Sequence, residues 1–246
     1  MYIRRISSSV IASSILLLGV APIKSEVNKD IVSEINSKKG YYLTGSFGYK
    51  MPSKENLVSD DDGVFEANSG VNYFEDGWSG EIGLGYDFGK IRSELTVGQS
   101  GYKLQDYYAN KTSYKGDWDK YYIDEKSIFL NFYYDLRDNR KWSPYLGFGL
   151  GKVFYEQHPG AIFYHQTGTR DLERPGYTSN HFAGQFKLGL TYNLSKKVSV
   201  FAESAYKKDF SGVSREDDAS TWTDGTVMSY EGKKSLVTQI GFRLFF

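Results

Sequence analysis

From residue 41 onward, large apolar side chains recur at every second position, the repeat of an extended strand with two unlike faces rather than of a helix. In GWSGEIGLGYDF (77–88) one face carries Trp78, Ile82, Leu84, Tyr86 and Phe88, and the other Ser79, Glu81, Gly83, Gly85 and Asp87. Residues 125–136 set Ile128, Leu130, Phe132, Tyr134 and Leu136 against Glu125, Ser127, Asn131 and Asp135. Residues 181–194 set Phe182, Phe186, Leu188, Leu190, Tyr192 and Leu194 against His181, Gln185, Lys187, Thr191 and Asn193. The last segment sets Leu236, Ile240, Phe242, Leu244 and Phe246 against Gln239, Gly241 and Arg243. With 41–50, 90–101, 142–155 and 197–207, the pattern predicts eight strands.

The connections alternate in length. Gly89-Lys90, RDNRK (137–141) and Ser195-Lys196 are tight turns, whereas 51–76, 102–124, 156–178 and 208–234 each exceed twenty residues. Short turns at one end and long loops at the other mark an outer-membrane barrel, and about ten residues per strand suffice for a tilted crossing of the bilayer. The expected fold is therefore all-β: an eight-stranded antiparallel up-and-down transmembrane β-barrel over 41–246, with short periplasmic turns and four long external loops.

A soluble barrel turns its apolar side chains inward, and a membrane barrel turns them outward. The small-or-polar face holds Gly83, Gly85, Gly147, Gly149 and Gly151, together with Glu81, Arg92, Glu94, Lys187, Glu203 and Arg243. The other face is bulky and apolar, with Trp78 and Trp142 near strand ends, where interfacial aromatics sit. Read as a lumen lining, the six charged residues mix signs, which fits a paired network filling a narrow barrel better than a selective pore.

Residues 1–25 are expected to be a secretory signal peptide. Arg4 and Arg5 precede an uncharged apolar run too short to span a bilayer, and Ser25 supplies a small residue for cleavage. Its loss would remove three cations from a chain with 30 Lys+Arg and 30 Asp+Glu, leaving a slightly acidic mature protein. Residues 26–40 read as a periplasmic lead-in, either flexible or, with Val27, Ile31 and Ile35 four apart, a short amphipathic helix. The even charge balance removes the basic footprint of a nucleic-acid binder. The absence of cysteine excludes disulfide scaffolds, thiol catalysis and Cys-ligated zinc. A mean hydropathy of −0.48 excludes a helical membrane protein, and no cofactor is expected.

Three other features invite chemistry. His181 shares a face with Ser179, two of the groups an outer-leaflet acyl hydrolase would need, but no further motif supports a triad and a polar residue at a strand–loop junction is the simpler explanation. Asp60-Asp61-Asp62 and Glu216-Asp217-Asp218 offer carboxylates for calcium without the spacing of a calcium loop. Tyr107, Tyr108, Tyr114, Trp118, Tyr121 and Tyr122 are either an exposed aromatic cluster for a sugar or protein partner, or a girdle on strands that continue past the membrane.

The chain resembles the small outer-membrane β-barrels grouped around the OmpA transmembrane domain, the opacity proteins and related bacterial surface antigens. The resemblance rests on YYLTGSFGYK at the first strand, PYLGFGLG at 144–151, the GLTYNLSKKVSVFAESAY hairpin at 189–206 and the terminal QIGFRLFF. It implies that Gln239, Gly241, Leu244 and Phe246 act as the signal read by the barrel-assembly machinery. It implies outer-membrane lipid and lipopolysaccharide as surroundings and a host or cell-surface ligand for the loops. Unlike in the longest members, no peptidoglycan-binding domain is expected after the last strand, a departure that argues against cell-wall tethering. The expected protein is non-enzymatic, a surface scaffold for adhesion, antigenicity or envelope structure. The alternatives are an outer-leaflet lipid-modifying enzyme, a small diffusion channel and a soluble lipocalin-like carrier.

Overall fold

The computed structural model describes residues 39–61, 64–109, 115–119, 121–136, 141–164, 168–170, 176–210, 213–214, 227–230 and 232–246. In chain order the strands are β1 (Gly40–Pro52), β2 (Glu55–Asp61), β3 (Val64–Asp87), β4 (Ile91–Ala109), β5 (Lys115–Asp119), β6 (Tyr122–Asp135) and β7 (Trp142–Gln157). They continue with β8 (Ala161–Tyr164), β9 (Thr169–Arg170), β10 (Tyr177–Asn193), β11 (Val198–Asp209), β12 (Val213–Ser214), β13 (Val227–Tyr230) and β14 (Lys234–Phe245). Eight of them form a closed antiparallel ring in the order β3-β1-β14-β11-β10-β7-β6-β4, completed by the β3–β4 pair. The first and last strands seal it, in register from Tyr42↔Phe245 to Pro52↔Ser235.

The ring is the expected up-and-down barrel, and its strands meet at the expected tight turns at Gly89-Lys90 and Ser195-Lys196, while 137–140 of the third lie outside the described residues. Gly89 adopts φ 114° between β3 and β4, a conformation only glycine enters without strain. Between β10 and β11 the Ser195 hydroxyl accepts the backbone N–H groups of Lys197 and Val198 at 3.2 and 3.1 Å. We call this the inner end and the opposite one the outer end.

The long connections differ from expectation, because much of their length is strand. β3 runs for 24 residues and β4 for 19. Beyond the ring, β2 pairs with β3, β13 with β2, and β12 with β13, while β5 joins β4, β8 joins β5, and β9 joins β8. One side of the barrel wall thus continues outward as a broad sheet. The sequence hides this in β3 because irregularities at Tyr73/Phe74 and Glu75/Trp78 shift the register. Asn72 is buried at an even position whereas Ser79 and Glu81 are buried at odd ones, so a single alternation cannot be followed through.

The two faces fall as an inverted core. Ile82, Phe182 and Ile240 stand outward at 65, 69 and 71% exposure, while Glu81, Lys187 and Glu203 are buried at 5, 1 and 3%. The inner face is nevertheless less small than the sequence reading had it. Tyr102, Leu104, Tyr121, Ile123, Phe129, Val153, Tyr155 and Ala183 cluster in the outer half of the lumen, and Tyr133, Tyr145 and Phe201 in the inner half. Glycines on neighbouring strands make room for several of these rings. The Tyr145 ring lies where a side chain at Gly189 would start, with ring Cζ only 2.2 Å from an ideal Cβ, and the Phe201 ring does the same at Gly241 at 2.4 Å.

Candidate functional site

The lumen holds the densest polar chemistry among the described residues, and it is layered. In the middle layer, Glu81 on β3 accepts Lys187 of β10 at 3.0 Å and Lys207 of β11 at 2.8 Å, and Lys187 also reaches Glu203 at 2.9 Å. Gln239 Nε2 and the Tyr145 hydroxyl each donate to Glu203 at 2.9 Å. Because β3 and β10 stand opposite one another in the ring, the Glu81–Lys187 bond crosses the whole interior. Two carboxylates meet two ammonium groups, so each buried charge has a compensating partner. A second chain crosses beside it, with Gln185 Nε2 donating to Asn131 Oδ1 at 2.6 Å and Asn131 Nδ2 to Thr96 Oγ1 at 3.0 Å.

Towards the inner end the chemistry changes. Arg92 forms a forked ion pair with Asp135, with Nε and Nη2 at 2.8 and 3.1 Å from its two carboxylate oxygens. The same guanidinium lies 4.7 and 4.9 Å from the ring centres of Tyr133 and Tyr145. Arg243 donates to Thr191 Oγ1 at 2.9 Å and lies 4.3 Å from the Phe201 ring centre and 5.2 Å from that of Tyr145. No carboxylate pairs with Arg243 among the described residues; aromatic faces take that place. Glu94 likewise has no cation within ion-pair distance among the described residues and accepts the Tyr133 hydroxyl at 3.1 Å. Of the six lumen charges picked out by sequence, the structure brings Glu81, Lys187 and Glu203 into one network and sets Arg92, Glu94 and Arg243 in another environment.

Lys50, Glu125, Asp135 and Lys207 complete these networks and were not singled out as lumen charges. Lys50 of β1 pairs with Glu125 of β6 near the outer end, where the Tyr155 hydroxyl also donates to Asp209 at 2.9 Å. The available signal was parity. Lys50 is in phase with Tyr42 and Thr44, and Lys207 with Glu203, all of which face inward.

The other candidates fall as follows. His181 Nε2 lies 3.1 Å from Ser179 Oγ, with its ring 5.8 Å from that of Tyr155. The histidine is buried on the lumen side of β10 rather than turned toward lipid, which an outer-leaflet acyl reaction would require. His158 Nε2 meets Asp124 Oδ2 at 2.7 Å on the outside of the barrel, and His165 lies outside the described residues. No group of three or more His, Asp or Glu suited to a metal occurs among the described residues. Asp60 and Asp61 end β2, while Asp62 and Glu216-Asp217-Asp218 lie outside the described residues, as do the signal-peptide region 1–25 and all but the last two positions of 26–40. Of the loop aromatics, Tyr107 and Tyr108 belong to β4, Trp118 to β5 and Tyr122 to β6; Tyr121 abuts β6 and Tyr114 lies outside the described residues. In the last strand Gln239 and Gly241 face the lumen while Leu244 and Phe246 face outward, the Phe246 ring stacking 6.5 Å from Tyr41 across the seam.

The family described as the outer membrane protein beta-barrel domain matches residues 15–229 of the chain. No curated protein matches it in sequence. Among solved structures, the outer membrane protein OprG of Pseudomonas aeruginosa is similar, with 14% identity, a TM-score of 0.58, and 86% of this chain and 99% of that chain covered. The outer membrane protease OmpT of Escherichia coli is similar at 10% identity and a TM-score of 0.53, with 85% and 98% covered. At such identities the likeness is one of fold. A closed antiparallel ring, an apolar exterior, a charged and tightly packed interior and the family match lead to one conclusion: the chain belongs to the outer-membrane β-barrel family and is an integral protein of the bacterial outer membrane.

Proposed function

We propose that the protein is a non-enzymatic surface scaffold, a closed barrel that holds a tall outer sheet and displays its long connections to a ligand on another cell surface. The observation that carries this reading is the Glu81–Lys187–Glu203 crossing with its Lys207 and Gln239 partners, which occupies the lumen at mid-height. A filled interior suits a frame rather than a conduit, and function on rigid frames concentrates in the connections they position. Gln239, Gly241, Leu244 and Phe246 serve in this reading as the assembly signal, with outer-membrane lipid, lipopolysaccharide and the assembly machinery as partners.

Two measurements test it. In planar bilayers the purified barrel should give no discrete conductance steps; regular steps would defeat the closed-lumen premise. Displayed by a non-adherent bacterium, it should raise attachment to cultured host cells. Replacing residues 211–226 by a short Gly-Ser turn should abolish that gain while keeping the gel-mobility shift between unheated and heated samples that a closed barrel gives. Attachment indifferent to replacement of every long connection would refute the display role.

A further inference from the structure

We propose that the outward face of β6, β7 and β10 carries a binding site for the phosphoryl headgroup of an outer-leaflet lipid, built on Lys126 and Lys152. The inference rests on the placement of the barrel in the outer membrane and is independent of the display reading.

Height comes first. Lys152 lies ten residues outward of Trp142 on β7, and Lys126 ten residues outward of Leu136 beside β6. At about 3.3 Å per residue and a strand tilt of about 40°, ten residues rise by about 25 Å, the height of the apolar band of such barrels. Both lysines thus stand where the hydrocarbon ends and phosphates begin.

Their surroundings fit a phosphoryl group. Ile128 and Phe182 flank Lys152 in register on the neighbouring strands, and Lys126 sits opposite Phe154. The Lys152 ammonium lies 5.4 Å from the Phe154 ring centre and 5.8 Å from that of Phe182, so its stem is seated on apolar rings while its head remains at the band's edge. Neither lysine has a carboxylate within ion-pair distance among the described residues. They occupy diagonal positions on adjacent strands, about 7–8 Å apart at the backbone, close enough for both ammonium groups to donate to one phosphate. Asn180, opposite Phe154 on β10, adds a third donor; it lines a shallow groove with Lys126 and Phe154, and Lys152 stands on the inner side of that groove.

Two carboxylates line the same groove at its outer end. Asp124 and Glu156 form the next outward-facing pair toward the outer end, and Asp124 is engaged by His158 at 2.7 Å. From the membrane outward the surface therefore runs apolar, cationic, then acidic. That order admits a phosphate arriving from the bilayer and repels one arriving from water.

Native mass spectrometry of the folded full-length barrel in a neutral detergent tests the site with phosphatidic acid as probe. Phosphatidylcholine of the same chains and inorganic phosphate serve as comparators. Phosphatidic acid should be retained in preference to phosphatidylcholine, and the Lys126→Gln, Lys152→Gln double variant should lose that retention by about 30-fold, the value of two cations at an anionic surface. The pair Lys103→Gln, Lys208→Gln, which removes two other outward lysines near the same height, should lose much less. If the Lys126/Lys152 variant lacks the heat-dependent gel shift, Lys126→Gln alone gives the reading, with an expected loss of about fivefold. Equal losses from both lysine pairs would show diffuse attraction and overturn the proposal. Unchanged retention in the double variant, or displacement of the lipid by low-millimolar inorganic phosphate, would overturn it as well.

Discussion

The middle and inner layers of the lumen solve the same problem in different ways. At mid-height, Lys187 and Lys207 are matched by Glu81 and Glu203, charge against charge across the ring. Toward the turns, Arg243 is matched by the faces of Phe201 and Tyr145 and one hydroxyl, and Arg92 combines a single carboxylate with two tyrosine faces. A lysine head is compact and strongly hydrated, so it needs oxygen acceptors on several sides once buried. A guanidinium is planar and more weakly hydrated, so stacking on rings satisfies much of it. The lysine layer is therefore held chiefly by carboxylates, whereas the arginine layer combines one carboxylate with several aromatic faces.

Three substitutions test that contrast, each measured by urea unfolding of the barrel in lipid vesicles. Lys187→Met removes the cation shared by Glu81 and Glu203, leaves two buried carboxylates under-compensated, and should cost about 3–5 kcal/mol. Gly241→Ala places a methyl against the Phe201 ring and the Gly45 carbonyl oxygen, the latter 2.5 Å from the ideal Cβ. It should cost about 1–3 kcal/mol by forcing the ring that supports Arg243 to move. Arg243→Met breaks no direct ion pair and should cost about 1–2 kcal/mol, mainly the value of its ring contacts. A cost for Arg243→Met equal to that for Lys187→Met would erase the distinction between the layers. Gly241→Ala also separates packing from signalling: a variant that inserts normally but unfolds early points to the Phe201 seat as the reason for glycine there.

The ring was legible because period-two alternation is a direct record of which face meets lipid. Leu188 and Lys187 are neighbours in sequence and opposites in environment, and nothing more is needed to orient β10. The outer extension was legible only in part: the aromatics of 107–122 fitted strands that continue past the membrane, as β4 and β6 do, but the register shifts in β3 reverse the parity between Asn72 and Ser79 and hid the extension there. Lumen partners were only half legible. Parity shows that Arg92 and Glu94 face inward, but whether an inward arginine meets Asp135 on the next strand or a ring such as Phe201 depends on stagger and curvature that a linear pattern does not contain. Inward aromatics such as Phe129 and Tyr133 escaped notice because bulk was equated with the lipid face.

The seam between β1 and β14 has a kinetic consequence. Thr44 donates to the Phe242 carbonyl oxygen at 3.2 Å across 198 residues of chain. Every other junction in the ring joins strands adjacent in the sequence of staves, whereas this one requires its two ends to find each other after the rest has been laid down. Loop-closure entropy makes it the most delayed contact, and until it forms two edges present unpaired backbone groups. The barrel is thus an object whose last zipper stroke decides everything: before it, an adhesive open ribbon; after it, a cylinder without an edge.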